Sequence, residues 1–352
     1  YVTGPVTLFG RQHDINIGVN RSAQDYRQSS AYDNSTIGVP LAFPDLFEGN
    51  FPRPNFPTTF STAYASSQNT QTRRETLYGL VRLNLADPLK VMVGGNVTRA
   101  RSIGFSYGVD TNYENTRFLP FAGATLDLSG SISAYGSYAT IFNPQTEIDA
   151  NGRILDPIRG NNLEAGLKGA WDGGRLNASA SLFRTRQDNT AEAAGFGPTP
   201  GNPTVLRTIY KGVDARSEGI ELEVGGRLAD GVQVTGGYTL LRVEDENGAA
   251  ARRFVPRNTA RLNISYSPPV LPALKLGAAA QYQSRIFTPD ATIREGGYAL
   301  LDLLARYEVT SRVSVSANVR NVTNTKYLTA LNFAGGYYGA PRTVLGTISV
   351  RY

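Results

Sequence analysis

The stretch Arg312-Val313-Ser314-Val315-Ser316-Ala317-Asn318-Val319-Arg320-Asn321-Val322 decides the fold. Val313, Val315, Ala317 and Val319 alternate with Arg312, Ser314, Ser316, Asn318 and Arg320, and a period of two puts one group on each face of a β-strand. The pattern recurs upstream. Leu274, Leu276, Ala278, Ala280 and Tyr282 oppose Lys275, Gly277, Ala279, Gln281 and Gln283. Ile220, Leu222 and Val224 oppose Glu221, Glu223 and Gly225, and Leu301, Leu303, Ala305 and Tyr307 oppose Asp302, Leu304, Arg306 and Glu308. One face is oily; the charges on the other require water, because a buried unpaired charge is very costly.

Connections alternate in length. Tight turns are legible at residues 10–14, 86–88, 129–130, 171–174, 229–231, 267–273 and 309–311, where turn-forming residues cluster. Between them lie longer connections at 29–71, 104–113, 145–159, 193–213, 247–254, 289–296 and 328–339. Short turns on one side and long loops on the other is the outer-membrane barrel arrangement. This counting predicts about fifteen strands, most of ten to fifteen residues, against the ~5–6 residues usual in globular sheets. Such strands exceed the ~9–11 residues of a tilted membrane crossing and carry on into the external medium.

Composition agrees. The 352 residues are 41% hydrophobic and 18% charged, with no run near the ~18 apolar residues of a spanning helix. Tyr (19), Phe (15) and Gly (37) are abundant, as in turn-rich β-structure. With no Cys and one His, His13, disulfides, thiolate metal sites and His-rich sites are excluded. The net charge of +6 is spread along the chain without a dense basic run, which gives no sign of nucleic-acid binding. Aromatics stand beside the tight turns, Trp171, Tyr266, Tyr307 and the terminal Tyr352, where an interfacial girdle belongs.

The end of the chain, Arg320-Asn321-Val322-Thr323-Asn324-Thr325-Lys326-Tyr327 followed by Tyr338-Gly339-Ala340-Pro341-Arg342-Thr343 and a last strand ending in Tyr352, resembles the carboxy-terminal signature of TonB-dependent receptors. Upstream, Tyr135-Gly136-Ser137-Tyr138, Phe142-Asn143-Pro144-Gln145, residues 160–169, Gln187-Asp188-Asn189, residues 217–223 and Gly237-Tyr238-Thr239 continue the likeness over about 220 residues. Within the family these segments look most like receptors for ferric hydroxamate, coprogen and pyoverdine-type siderophores. The resemblance implies an all-β, antiparallel transmembrane barrel of 22 strands, of which residues 1–352 supply the carboxy-terminal portion. The plug domain, roughly the first seven strands and the TonB-binding segment would precede Tyr1. It further implies a monomer of the bacterial outer membrane, in contact with lipid and lipopolysaccharide, coupled to the TonB complex through that missing segment.

A ferric siderophore already wraps its iron in oxygen ligands, so the receptor needs no metal ligands or cofactor of its own. Recognition falls to aromatic and basic groups at the mouth. The candidates are Tyr107, Tyr113, Phe142, Gln145, Phe287, Phe333, Tyr337 and Tyr338, with Arg117, Arg159 and Arg285 as partners for anionic groups. Competing readings are a passive porin, a related receptor for haem, cobalamin or an oligosaccharide, an adhesin or lipase barrel, and a soluble β-sandwich. An enzymatic barrel would have His13 as its sole imidazole base, near a tight turn, and no hydrolase or phosphate-loop motif is present. No enzymatic activity is expected.

Overall fold

A computed structural model describes residues 1–32, 61–200, 202–289, 291–329, 331 and 336–352. Fifteen strands form one antiparallel wall. They are β1 (Val2–Leu8), β2 (Arg11–Tyr32), β3 (Ser61–Asn84), β4 (Leu89–Ser106) and β5 (Tyr113–Asp127). Next come β6 (Ile132–Asn143), β7 (Ile158–Trp171), β8 (Leu176–Thr199), β9 (Asn202–Ala229) and β10 (Val232–Asp245). The wall ends with β11 (Asn258–Tyr266), β12 (Leu274–Gln283), β13 (Tyr298–Glu308), β14 (Val313–Arg320) and β15 (Thr343–Val350). Each strand pairs with the next in sequence, and among the described residues β1 and β15 pair on one side only. Small two-residue segments decorate the long-loop end: Val109–Asp110 folds back on β4, Ile286–Phe287 pairs Arg294–Glu295, and Leu328–Thr329 pairs Tyr337–Tyr338.

The register keeps every oily set on one face. A single hydrogen-bonded row runs Val344, Val319, Leu303, Ala278, Ile264, Val234, Gly226, Leu176, Trp171. It enters β15 just after a long connection and leaves β7 beside a short turn, so strands and rows are both oblique to the wall, the stagger a tilted barrel requires. Towards β1 the same face continues through Leu126, Ala124, Val93, Val81, Ile17 and Val2. Its large side chains are exposed, Leu303 by 44%, which in water would be an apolar patch far beyond what soluble proteins tolerate. On β13 the belt runs from Tyr307 to Ala299, which at ~3.4 Å per residue and a ~40° tilt is roughly 20 Å of hydrocarbon.

Two features differ from the sequence reading. Several strands are longer than expected: β2 has 22 residues, β3 24, β8 24 and β9 28. The connection expected at 193–213 is therefore mostly a paired hairpin, interrupted by register shifts at Ile209/Tyr210 and Val213/Ala215. Its Gly and Pro residues read as loop, yet cross-strand hydrogen bonds persist above the membrane because bulges absorb the irregular residues. Of the connection expected at 29–71, residues 33–60 lie outside the described residues, and strand occupies both flanks. At the other extreme, β14 and β15 have eight residues each.

The short turns are tightly closed. Gly226, at φ 131°, lies where an added Cβ would meet the Arg175 carbonyl at 2.0 Å, so only glycine fits. His13 is 4% exposed beside the β1–β2 turn. Its Nδ1 accepts the Asn84 N–H at 3.0 Å, and Nε2 lies 3.2 Å from the Leu8 carbonyl, so the proton sits on Nε2 and the ring staples a turn.

At the opposite end the connection 144–157 packs down on the wall. Ile148 is 1% exposed, and its carbonyl accepts the Tyr210 N–H at 2.9 Å. Gln145 donates to the carbonyls of Asp156 at 2.6 Å and Asn189 at 2.8 Å.

Two outcomes follow for the full-length protein that contains this chain. Leu303→Arg, in mid-belt, should lower barrel stability in lipid vesicles by about 2–4 kcal/mol, whereas Asn318→Lys on the opposite face should cost about 1 kcal/mol or less; urea unfolding monitored by gel mobility separates them. Gln145→Leu should leave the barrel folded yet remove the side-chain donor of the Asn189 carbonyl and one of the two donors of the Asp156 carbonyl, costing about 1–3 kcal/mol and raising hydrogen exchange selectively over residues 144–157.

Candidate functional site

The face opposite the belt carries the ion pairs and hydrogen-bonded polar groups of the wall, with apolar residues such as Phe121, Phe183 and Leu304 among them. Near the short turns it carries Lys90, paired with Asp127 at 2.7 Å, and Ser133, which donates to the same carboxylate at 2.7 Å. Tyr135 donates to Glu164, with the Lys168 ammonium 5.6 Å from the tyrosine ring. Asp127, Ser133 and Lys168 border a trough of about 1130 Å³ that also takes in Ser179, Glu223 and Thr235. Ions here are compensated by water and by one another, as a wet interior allows and a hydrocarbon face does not.

At the long-loop end the same face narrows. Arg74 of β3 donates to the Phe142 carbonyl of β6 at 3.2 Å, reaching past two intervening strands, so this face is concave. Tyr113 and Arg117 of β5 share the parity of Arg74 on β3: they lie across from Ser102 and Thr98, which in turn face Thr72 and Thr76. Burial pushes the Tyr113 phenol up from its ordinary range, and the Arg74 charge opposes that shift. Tyr113, Arg117, the Phe142 carbonyl and Gln145 are thus brought to one region of the rim, with Arg74 as the residue that joins them.

The rim is held by Asn189, a left-handed residue at φ 62°. Its N–H donates to Asp214 at 2.9 Å, its side-chain amide donates to the Asp156 carbonyl, and its own carbonyl takes Gln145. Gly212 lies against it, and a Cβ there would fall 1.7 Å from Asn189 Oδ1. Next to this knot Arg252 donates to Gln187 at 3.3 Å, and Arg257 bonds the Val243 and Ala251 carbonyls. Burial holds the Arg257 guanidinium below its usual range. Arg252 Nη2 and Arg257 Nη1 are buried donors with no acceptor among the described residues, and such donors are costly unless an acceptor arrives.

Other candidates scatter. Tyr107 is at φ 49°, 44% exposed, in the tight connection after β4, its N–H donating to the Ser67 carbonyl. Phe142 is 6% exposed, so its ring is a packing element and its carbonyl is the polar contact. Arg285 is exposed, and Phe287 lies under Arg294, 6.0 Å from guanidinium to ring centroid. Tyr337 and Tyr338 are 75% and 64% exposed, with Lys326 4.5 Å from the Tyr338 ring. Phe333 lies outside the described residues. Arg159 pairs with Asp188 and Phe142 in register and has the parity of Leu163, which sets it on the outward side above the belt, away from the mouth.

Arg74, Arg252, Arg257 and Asn189 were not singled out from the sequence. Parity would have found Arg74, two steps from Thr76 on the wet face; the arginines of the 246–257 connection carry no periodic signal at all. Trp171, Tyr266 and Tyr307 are exposed on the belt face beside short turns, and Tyr352 is fully exposed beyond β15. Among the described residues no group of three or more His, Cys, Asp and Glu side chains is placed to hold a metal. The arrangement recognises by hydrogen bonds, rings and guanidinium charge.

Comparison with known proteins gives the same reading. Residues 3–322 match the family described as TonB dependent receptor-like, beta-barrel. The chain is 32% identical over 363 residues to the ferripyoverdine receptor of Pseudomonas aeruginosa, covering 98% of this chain and 43% of that protein. It is 28% identical over 367 residues to the ferrioxamine B receptor of Salmonella typhimurium, covering 98% and 49%. The structure of the outer-membrane ferripyoverdine receptor of P. aeruginosa bound to ferripyoverdine superposes with a TM-score of 0.81 at 30% identity, over 99% of this chain and 47% of that one. The chain therefore spans less than half the length of these relatives. With an antiparallel wall, an outward apolar belt, a wet concave face and a family match over most of its length, the chain belongs to the TonB-dependent receptors and forms part of their outer-membrane β-barrel.

Proposed function

We propose that the full-length protein containing this chain binds a ferric siderophore at its external mouth and imports it with energy drawn through TonB. In this reading residues 1–352 are the carboxy-terminal part of the barrel, and further strands and a plug complete it. The one-sided pairing of β1 and β15 supports this, because an open sheet edge is not tolerated in hydrocarbon. The observation that carries the functional reading is the rim on the concave face, where Arg74 reaches the Phe142 carbonyl and shares its parity with Tyr113 and Arg117, while the 246–257 connection adds guanidinium donors of Arg252 and Arg257 that have no acceptor among the described residues. Such a rim suits a chelate with oxygen-rich, anionic edges, and the relatives named above are receptors for pyoverdine and ferrioxamine chelates.

The protein is a monomer in this reading, with no resident cofactor and no enzymatic step. Trp171, Tyr266, Tyr307 and Tyr352 form the girdle at the short-turn interface, where amphipathic rings are favoured. Tyr107, Arg285, Phe287, Phe333, Tyr337 and Tyr338 are outer contacts that a bound chelate meets on entry, and Gln145 keeps the rim in shape.

Titration of the detergent-purified full-length protein with ferric pyoverdine-type and ferric hydroxamate chelates tests the reading. At least one class should bind at micromolar concentration or below. Arg117→Ala and Arg74→Ala should each weaken that binding about tenfold, ~1.4 kcal/mol, with Arg159→Ala within twofold of the parent. Absence of binding by every ferric chelate, together with an ion conductance that persists in planar bilayers, would replace this reading with that of a passive porin.

A further inference from the structure

The one pair of aromatic rings in contact among the described residues is Tyr298 and Tyr327, with ring centroids 4.5 Å apart and planes tilted by 37°. The two come from different elements. Tyr298 opens β13 at its long-loop end and faces Gln283 of β12 in register; it has the parity of Asp302 and so belongs to the inward face. Tyr327 lies in the connection 321–342 that joins β14 to β15. Both residues are half-buried, within reach of a small solute.

The pair is held in place from several sides. Asn321 anchors the root of the connection: its N–H donates to Asp302 at 2.8 Å, and its side-chain amide donates to the Thr325 carbonyl at 2.8 Å and the Ala340 carbonyl at 3.1 Å. The Val322 N–H donates to the Leu301 carbonyl at 2.8 Å, which lays this end of the connection along β13. The Tyr327 carbonyl accepts the Gly339 N–H at 2.8 Å. A Cβ on residue 339 would fall 2.0 Å from Tyr327 Cζ, so only glycine lets the ring lie there. Glu295, three residues before Tyr298, accepts the Leu328 N–H at 3.1 Å, tying the approach to one tyrosine to the residue after the other. The contact of the two rings is therefore built into the fold of this end.

We infer that Tyr298 and Tyr327 are an oxidative cross-linking site, joined into a dityrosine by one-electron oxidants in the external medium. Each phenol gives one electron to an oxidant molecule and one proton to water. The two phenoxyl radicals combine through ring carbons ortho to the oxygens, and the hydrogens on those carbons shift to the oxygens. One carbon–carbon bond forms, two oxidant equivalents are reduced, and two protons leave. Rings already in contact meet without diffusion, and this prior orientation favours them over the other tyrosines of the chain. Competition is weak, because the chain has no Cys and one Met, the side chains that otherwise climb the oxidation ladder. The bridge staples the β14–β15 connection to the start of β13 and fixes that side of the mouth. It requires no particular chelate, so it stands apart from the functional reading of the rim.

The test is light-driven one-electron oxidation of the full-length protein in detergent, with a ruthenium trisbipyridyl complex and persulfate, followed by trypsin and mass spectrometry. Cleavage after Arg294, Arg306, Lys326 and Arg342 leaves residues 295–306 and 327–342 as separate peptides. In the oxidised parent they should appear joined, lighter than their sum by two hydrogens, with fragment ions placing the bond at Tyr327 and not at Tyr337 or Tyr338. Tyr298→Phe and Tyr327→Phe keep the ring but form no phenoxyl radical, and each should lower the yield of the joined peptide at least tenfold. Gel-mobility heat resistance confirms that both variants are folded. Hydrogen exchange over residues 321–342 should be at least tenfold slower in the cross-linked parent than before oxidation. The proposal is overturned if the parent gives no joined peptide, if the bond maps to Tyr337 or Tyr338, if Tyr327→Phe leaves the yield unchanged, or if the yield rises in proportion to protein concentration, which marks a bond between two molecules.

Discussion

In hydrocarbon a backbone amide has no water to turn to, so each N–H and C=O of the belt must be paired by a neighbouring strand. That constraint fixes nearly everything else. A strand paired on both sides has two faces left for its side chains, one towards lipid and one towards the interior. The row from Val344 to Trp171 crosses nine strands without changing face. A slip of one residue in any pairing would send a set such as Asp302, Arg306 and Glu308 into lipid, so the register is held by the cost of the wrong face as much as by the contacts of the right one.

The same parity means different things at different heights. On the outward face it is aromatic beside the short turns, apolar through the middle and charged above, with Arg21, Glu75, Arg99 and Arg101 following Val19, Leu77 and Val97 on the same strands. On the inward face it begins with the Lys90–Asp127 and Tyr135–Glu164 contacts and ends at the rim where Arg74 reaches Phe142. Specific chemistry concentrates where strands leave the membrane, because there the demand of the hydrocarbon relaxes and Asn189, Gly212 and the 144–157 connection can impose irregular shape.

Much of this was legible in the sequence. Alternation at residues 312–322 and 274–283, the short turns and the girdle positions depend on local periodicity, which the chain states openly. The long hairpin of β8 and β9 was not, because its Gly and Pro residues resemble a loop and the pairing that makes it a strand comes from its partner. Among the candidate residues, parity sets Tyr113 and Arg117 on the wet face and Arg159 on the opposite one. Arg74 was within reach of the same parity argument, whereas Arg252 and Arg257 depend on how a loop folds over the wall, which leaves no periodic mark.

The most direct measurement is a spin-label scan along residues 313–319 of the full-length protein in lipid vesicles, on a chain with no native cysteine to remove from this region. Labels at Val313, Val315, Ala317 and Val319 should be quenched by oxygen dissolved in the bilayer, and labels at Ser314, Ser316 and Asn318 by a water-soluble nickel complex or by neither. Accessibility without a period of two, or with the valine positions open to nickel, would contradict the outward belt from which the barrel and its mouth are both argued.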